Sequence, residues 1–149
     1  MATWNDIEQE AAEFAARVRE RFEAGTNKTL ATLRRDGSPR ISGTELEFAG
    51  SDVTLGMMPG SLKLLDVRRD PRVAIHSPTL EPPRDTDAWR GDAKLAGRLI
   101  EIPVPEGGFA GSSSFALDIS EAVLTYVTGE TLIIESWHPN KGWRRQSRK

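Results

Sequence analysis

The chain has 149 residues, 38% of them hydrophobic, which suits a single domain (1–149) with one core and leaves little room for two. Twenty Lys and Arg against 22 Asp and Glu give a net charge of −2, so the global field does not draw in a nucleic-acid backbone or an anionic membrane, and any anion site must be local. Cys is absent and the only His residues are His76 and His138, which excludes disulfides, thiolate zinc sites and cysteine nucleophiles and argues against a histidine metal cluster.

Ile7, Ala11, Phe14, Val18 and Phe22 recur at steps of three and four, placing them on one face of a helix predicted over 4–24. Thr3 or Asn5 can cap it, and Gly25 follows as a stop. From Lys28 the pattern turns to short β-type runs: Thr29–Leu33, Arg40–Phe48 and Val53–Gly56, separated by Asp36-Gly37-Ser38 and Gly50-Ser51-Asp52. This predicts a three-stranded meander. Leu46 and Phe48 share a parity that Ile41 does not, so the second strand should switch faces at a bulge near Gly43.

Ser61–Arg69 reads as a short helix ended by Pro71, and Arg72–Ser77 as a fourth strand. Pro78–Gly91 is a charged, proline-rich loop carrying Trp89; Ala93–Ile102 is a fifth strand and Pro103–Ser114 a second loop. Glu121–Thr128 and Thr131–Trp137 close the sheet around Gly129-Glu130. A basic tail follows, with Lys141, Arg144, Arg145, Arg148 and Lys149. The expected architecture is therefore mainly β (α+β), a barrel of six to seven antiparallel strands with an N-terminal helix and one short helix after the third strand.

Met57-Met58-Pro59-Gly60-Ser61-Leu62-Lys63 is the best local anion site. Helix-start amides, the Ser61 hydroxyl and the Lys63 ammonium can converge on a phosphate, and Arg40 on a nearby strand can add a second cation. The same residues also read as a plain capped helix with a solvated lysine. Trp137-His138-Pro139-Asn140-Lys141-Gly142-Trp143-Arg144-Arg145 offers a stacking wall and anion clamps, or equally a flap whose tryptophans fill a dimer seam. His76, in an apolar strand, reads as structural, and no serine sits in a nucleophile motif.

Thr29-Leu30-Ala31-Thr32-Leu33, Asp36-Gly37-Ser38-Pro39-Arg40, Ser61-Leu62-Lys63, Val67-Arg68-Arg69-Asp70-Pro71-Arg72-Val73, Gly97-Arg98-Leu99 and Glu135-Ser136-Trp137 together resemble the pyridoxamine 5′-phosphate oxidase-like proteins, the flavin- or deazaflavin-binding split β-barrels. The resemblance runs from about Asn27 to Arg145. It implies a homodimer with two cofactors in clefts shared by both subunits. Arg40, Ser61 and Lys63 would hold the cofactor phosphate, Ile41, Ser42, Gly43, Met57 and Met58 would lie beside the ring system, and Trp137 and Arg145 would come from the second subunit.

Two departures from true pyridoxamine phosphate oxidases stand out. Leu62 occupies the position of an arginine, and Asp92 that of a ring-contacting glutamine. Oxidation of pyridoxamine phosphate itself is therefore not expected. The resemblance implies an FMN-dependent oxidoreductase that transfers a hydride or electron pair to a small organic substrate. The alternatives are a reductase using the deazaflavin coenzyme F-420, whose acidic tail Arg68, Arg69 and Arg144 could meet, and a non-catalytic flavin or small-ligand binder. No metal is expected. With no apolar run near the ~20 residues that span a bilayer and no basic leader before an apolar stretch, the expected location is the cytoplasm.

Overall fold

The computed structural model describes all 149 residues. Helix α1 (Trp4–Glu10) starts in a capping box, in which the Thr3 hydroxyl accepts from the Asp6 amide (3.2 Å) and the Asp6 carboxylate accepts from the Thr3 amide (2.8 Å). Instead of running on to residue 24, the helix breaks at Ala11, and α2 (Ala12–Glu23) continues on a new axis. The chain start is tied down on two sides: Ala2 exchanges bonds with Asp118 and Ile119, and the Asn5 amide donates to Ser51. These ties fix α1, while α2 is fixed by burying Phe14, Ala15, Val18 and Phe22; one straight helix cannot satisfy both.

The strands are β1 (Lys28–Leu33), β2 (Pro39–Thr44), β3 (Glu47–Ala49), β4 (Asp52–Met57), β5 (Arg72–His76), β6 (Asp92–Ile102), β7 (Ser113–Thr128), β8 (Thr131–His138) and β9 (Gly142–Arg148), with α3 (Leu62–Arg69) between β4 and β5. All pairings are antiparallel, in the order β2-β1-β5-β6-β7-β4-β3, with β8 and β9 continuing from β7. Strand β7 is the branch point. One edge pairs with β6 throughout; the other takes β4 along Ser113–Ala116 and β8 along Ala122–Thr128. The sheet forks instead of closing.

The mainly β class is as expected, and nine strands replace six or seven for identifiable reasons. Arg40–Phe48 is two strands: β2 pairs with β1, and β3 pairs with β4 at the far end of the sheet. The change of face occurs because the chain leaves the sheet at Glu45-Leu46, not through a bulge at Gly43. The irregularity lies in β6, between Ala96 and Gly97. There a Cβ on Gly97 would stand 1.9 Å from the Asp118 carbonyl oxygen, so only glycine permits this strand contact. Strand β7 begins at Ser113, inside the expected loop, and the basic tail is paired as β9.

Alternation along β1, β4, β5 and β6 sends Leu30, Val53, Leu55, Val73, Ile75, Ala93 and Leu95 into one core, which α2 covers with its apolar face. Phe48 closes one end, edge-on to Trp4 at a ring separation of 4.8 Å. No helix is long and apolar enough to cross a membrane.

Candidate functional site

Gly60, at φ +76°, turns the chain from β4 into α3, whose cap position is Ser61. The amides of Leu62, Lys63 and Leu64 lie in the first turn, where no carbonyl four residues earlier is available. The Ser61 hydroxyl oxygen is enclosed and has no hydrogen-bond partner. Burying a hydroxyl without a partner is unfavourable, and a hydrogen bond from this atom to a group outside the chain would relieve that cost. Lys63 Nζ donates to the Gly43 carbonyl (2.8 Å), and desolvation lowers its pKa below the ordinary lysine value. Lys63 thereby bridges α3 to the edge strand β2.

Arg40 also projects from β2 toward α3. Its Nε donates to Asp66 Oδ2 (2.7 Å), whereas its two Nη groups donate to nothing in the chain. Asp66 is a buried hub that also receives Thr32 Oγ1 (2.7 Å) and Arg69 Nη2 (2.9 Å). Burial pushes its carboxyl pKa up, but the bonds from Arg40 and Thr32 and the charges of Arg40 and Arg69 outweigh burial and hold it below the usual range. Arg40 and Lys63 thus reach different anchors, Asp66 and the Gly43 carbonyl. Positions 40 and 43 are separated by about 10 Å of strand at ~3.3 Å per residue.

Between α3 and the β1–β2 turn lies a cleft of about 480 Å³. Arg34, Arg35 and Asp36 of the turn face Arg40, Asp66 and Arg69, and Leu62 and Leu65 form its apolar wall. Of the basic groups expected to meet an acidic tail, only Arg69 is here. Arg68 is bound to Glu101 and Ser113 instead, and Arg144 lies on β9.

The remaining expected site residues divide clearly. Ile41 is 74% exposed and Met58 53% exposed, and a Cβ on Gly43 would meet nothing within 4 Å, so these three border open space beside Lys63. Ser42 sits opposite Leu30 with half-buried parity, and Met57 is in the core. Trp137 is also in the core, 2% exposed, with Nε1 donating to Glu10 (2.6 Å). Its cross-strand neighbour Trp143 is the exposed ring of the pair, at 46%. Arg145 lies near Trp143 in a second cleft, which also takes in the helix break at Ala11.

That second cleft is organised by a residue whose role the sequence does not reveal. Glu135 is 1% exposed and accepts four bonds: two from Arg17 (2.6 and 2.8 Å), one from the Tyr126 hydroxyl (2.7 Å) and one from Trp143 Nε1 (2.9 Å). Burial raises its pKa, and the bonds from Arg17, Tyr126 and Trp143 reverse this to leave it lowered. Arg17 lies 118 positions away, so no local spacing signals the hub. Asp92 stands 3.9 Å from His76 Nε2, and His76 Nδ1 is bonded to the Ser77 carbonyl.

The fold has solved counterparts. A pyridoxamine 5′-phosphate oxidase-related, FMN-binding protein from Nostoc punctiforme superposes with a TM-score of 0.65 at 12% identity, over 100% of this chain and 98% of that one. PhzG from Burkholderia lata, solved with tetrahydrophenazine-1-carboxylic acid, gives 0.65 at 9% identity over 93% and 89%. HutZ, the heme storage protein of Vibrio cholerae, gives 0.54 at 13% identity over 72% and 88%. No family model matches the sequence, and no curated protein does. The chain therefore has the split β-barrel fold of the pyridoxamine 5′-phosphate oxidase-like proteins.

Proposed function

We propose that the protein binds FMN at the junction of β2 and the start of α3 and works as a homodimeric oxidoreductase on a small organic substrate. The observation that carries this reading is the enclosed, partnerless Ser61 hydroxyl beside Lys63. These residues fit a phosphate. Ser61 supplies a hydroxyl, α3 supplies amides and the positive end of its dipole, and Lys63 supplies a partly desolvated ammonium, while Arg40 is held at Asp66 further along β2. Ile41, Gly43 and Met58 offer an exposed surface for a planar ring.

FMN, when bound, supplies the two-electron chemistry, and the protein groups orient it and keep water away. No side chain at this junction is assigned proton transfer. Ile41, Met58, Leu62 and Leu65 are all exposed, and an apolar set of this kind is the mark of a surface that another body covers. In this reading a second copy covers it and brings its Arg145 to the cofactor.

The test is a fluorescence titration of FMN into wild type and Lys63→Ala. A charge-assisted bond to phosphate contributes about 1.5–3 kcal/mol, so affinity should fall roughly 10- to 150-fold, while the lost bond to Gly43 should lower the melting temperature by no more than about 4 °C. Equal affinities would remove Lys63 from the phosphate and with it this placement of the cofactor.

A further inference from the structure

The cleft at the break between α1 and α2 is separate from the phosphate end. In sheet order, β1, β5, β6 and β7 lie between β2, which Lys63 reaches, and β8, which carries Glu135. The cleft has a volume of about 600 Å³, within the roughly 300–1,000 Å³ of small-molecule sites. Its room has a cause in the sequence. The break falls at Ala11 and Ala12, whose single methyl groups fill little of the space between the helices and β9.

The floor of the cleft is already satisfied. Glu135 accepts four bonds from Arg17, Tyr126 and Trp143, which uses the acceptor sites of a carboxylate. The bond from Nε1 also fixes the edge of the Trp143 indole, and that ring is 46% exposed, whereas Trp4 and Trp137 are in the core. Trp143 is thus a preset aromatic wall. Charge then selects the ligand. The lining holds three glutamates and two arginines, a net of −1. Both arginines gather at Glu135: Arg17 bonds to it, and Arg145 stands opposite it in the β8–β9 register. Glu10 and Glu13 remain on the helix wall. Glu10 is anchored by Trp137 Nε1, and Glu13 is 91% exposed at the rim. An acidic wall and an open indole in one cleft both attract a cation, the first by its charge and the second by the negative face of its ring.

We propose that this cleft binds a small organic cation with a compact apolar body, the chemistry of an arylalkyl ammonium ion. The ammonium is held by the Trp143 ring and the carboxylates of Glu10 and Glu13, and the apolar body lies along Ala11, Ala12 and Phe14. The proposal does not depend on the FMN reading.

The test is calorimetric titration of wild type, Trp143→Ala, Glu13→Gln and Lys63→Ala with phenethylamine, which is cationic at neutral pH. Phenylacetate, with the same ring and the opposite charge, is titrated in parallel. Phenethylamine should bind wild type and Lys63→Ala alike, Trp143→Ala about tenfold or more weakly and Glu13→Gln about threefold more weakly, with affinity falling as salt is added. Phenylacetate should not compete. Glu13 is exposed at the rim, so Glu13→Gln keeps the fold even where Trp143→Ala loosens it. In wild type the Trp143 indole N–H resonance, identified by its loss in Trp143→Ala, should shift during the titration. No phenethylamine binding to wild type, equal affinity for phenylacetate, or a Trp143 resonance that does not move overturns the site. Binding lost in Lys63→Ala also overturns it, because the amine would then sit at the phosphate end. Binding of phenethylamine by a protein that ignores FMN supports the cation site and refutes the flavin reading alone.

Discussion

Replacing Glu135 by Gln tests whether a single buried carboxylate holds α2, β8 and β9 together. Gln keeps the shape but removes the charge, and it puts an amide where Arg17 or the Tyr126 and Trp143 donors now point. Breaking a fully buried ion pair from one side costs about 3–5 kcal/mol. The Arg17 side chain is 37% exposed, and solvent screening reduces that to roughly 2–3 kcal/mol. For a chain of this size the melting temperature should fall by about 5–10 °C.

The pH dependence gives a second handle on the same residue. Because the folded Glu135 pKa is lowered, its contribution is fully present above the unfolded value of about 4.3 and is lost as pH falls through the folded value. Urea unfolding of both proteins at neutral pH, and at a series of acid steps below the unfolded value, should show the stability gap shrinking toward acid. A neutral-pH gap under about 1 kcal/mol, or a gap that does not change with pH, would refute the hub.

Ser61→Ala should leave stability unchanged or raise it by up to about 1 kcal/mol, since it removes a hydroxyl with no partner; the same variant should weaken FMN about tenfold, so thermal melts and titration move in opposite directions. Gly97→Ala places a methyl 1.9 Å from backbone oxygen and should cost about 3 kcal/mol or more, read as loss of soluble protein or a much lower urea midpoint. Trp137→Ala should destabilise by about 3–5 kcal/mol because the ring is in the core, whereas Trp143→Ala should retain the fold and lose only the bond to Glu135; parallel melts distinguish the two tryptophans.

The comparison of sequence with structure follows the range of the interactions. Helix α3 and strands β1, β5, β6 and β8 were readable because capping, prolines and alternation act within a few residues. The first half of β7 was not: Ser113–Leu117 is buried on both faces, so it lacks the two-residue period that marks a half-exposed strand. The break at Ala11 has no local breaker either; it follows from tertiary ties of Ala2 and Asn5 to distant segments. Lys63 and Ser61 could be singled out because a glycine turn precedes a capped helix. Asp66 and Glu135 could not, since their partners are assembled by the fold, and Arg34 and Arg35 read as ordinary turn charges until α3 packs beside them.

FMN binding at the junction of β2 and α3 is checked by identifying what the purified protein carries or takes up. Protein as isolated, and after incubation with FMN, is freed of unbound ligand and denatured, and the released ligand is identified by visible absorption and mass. One FMN per chain is expected, with Lys63→Ala retaining little. Protein that releases no flavin under either condition, with its fold intact, would contradict it.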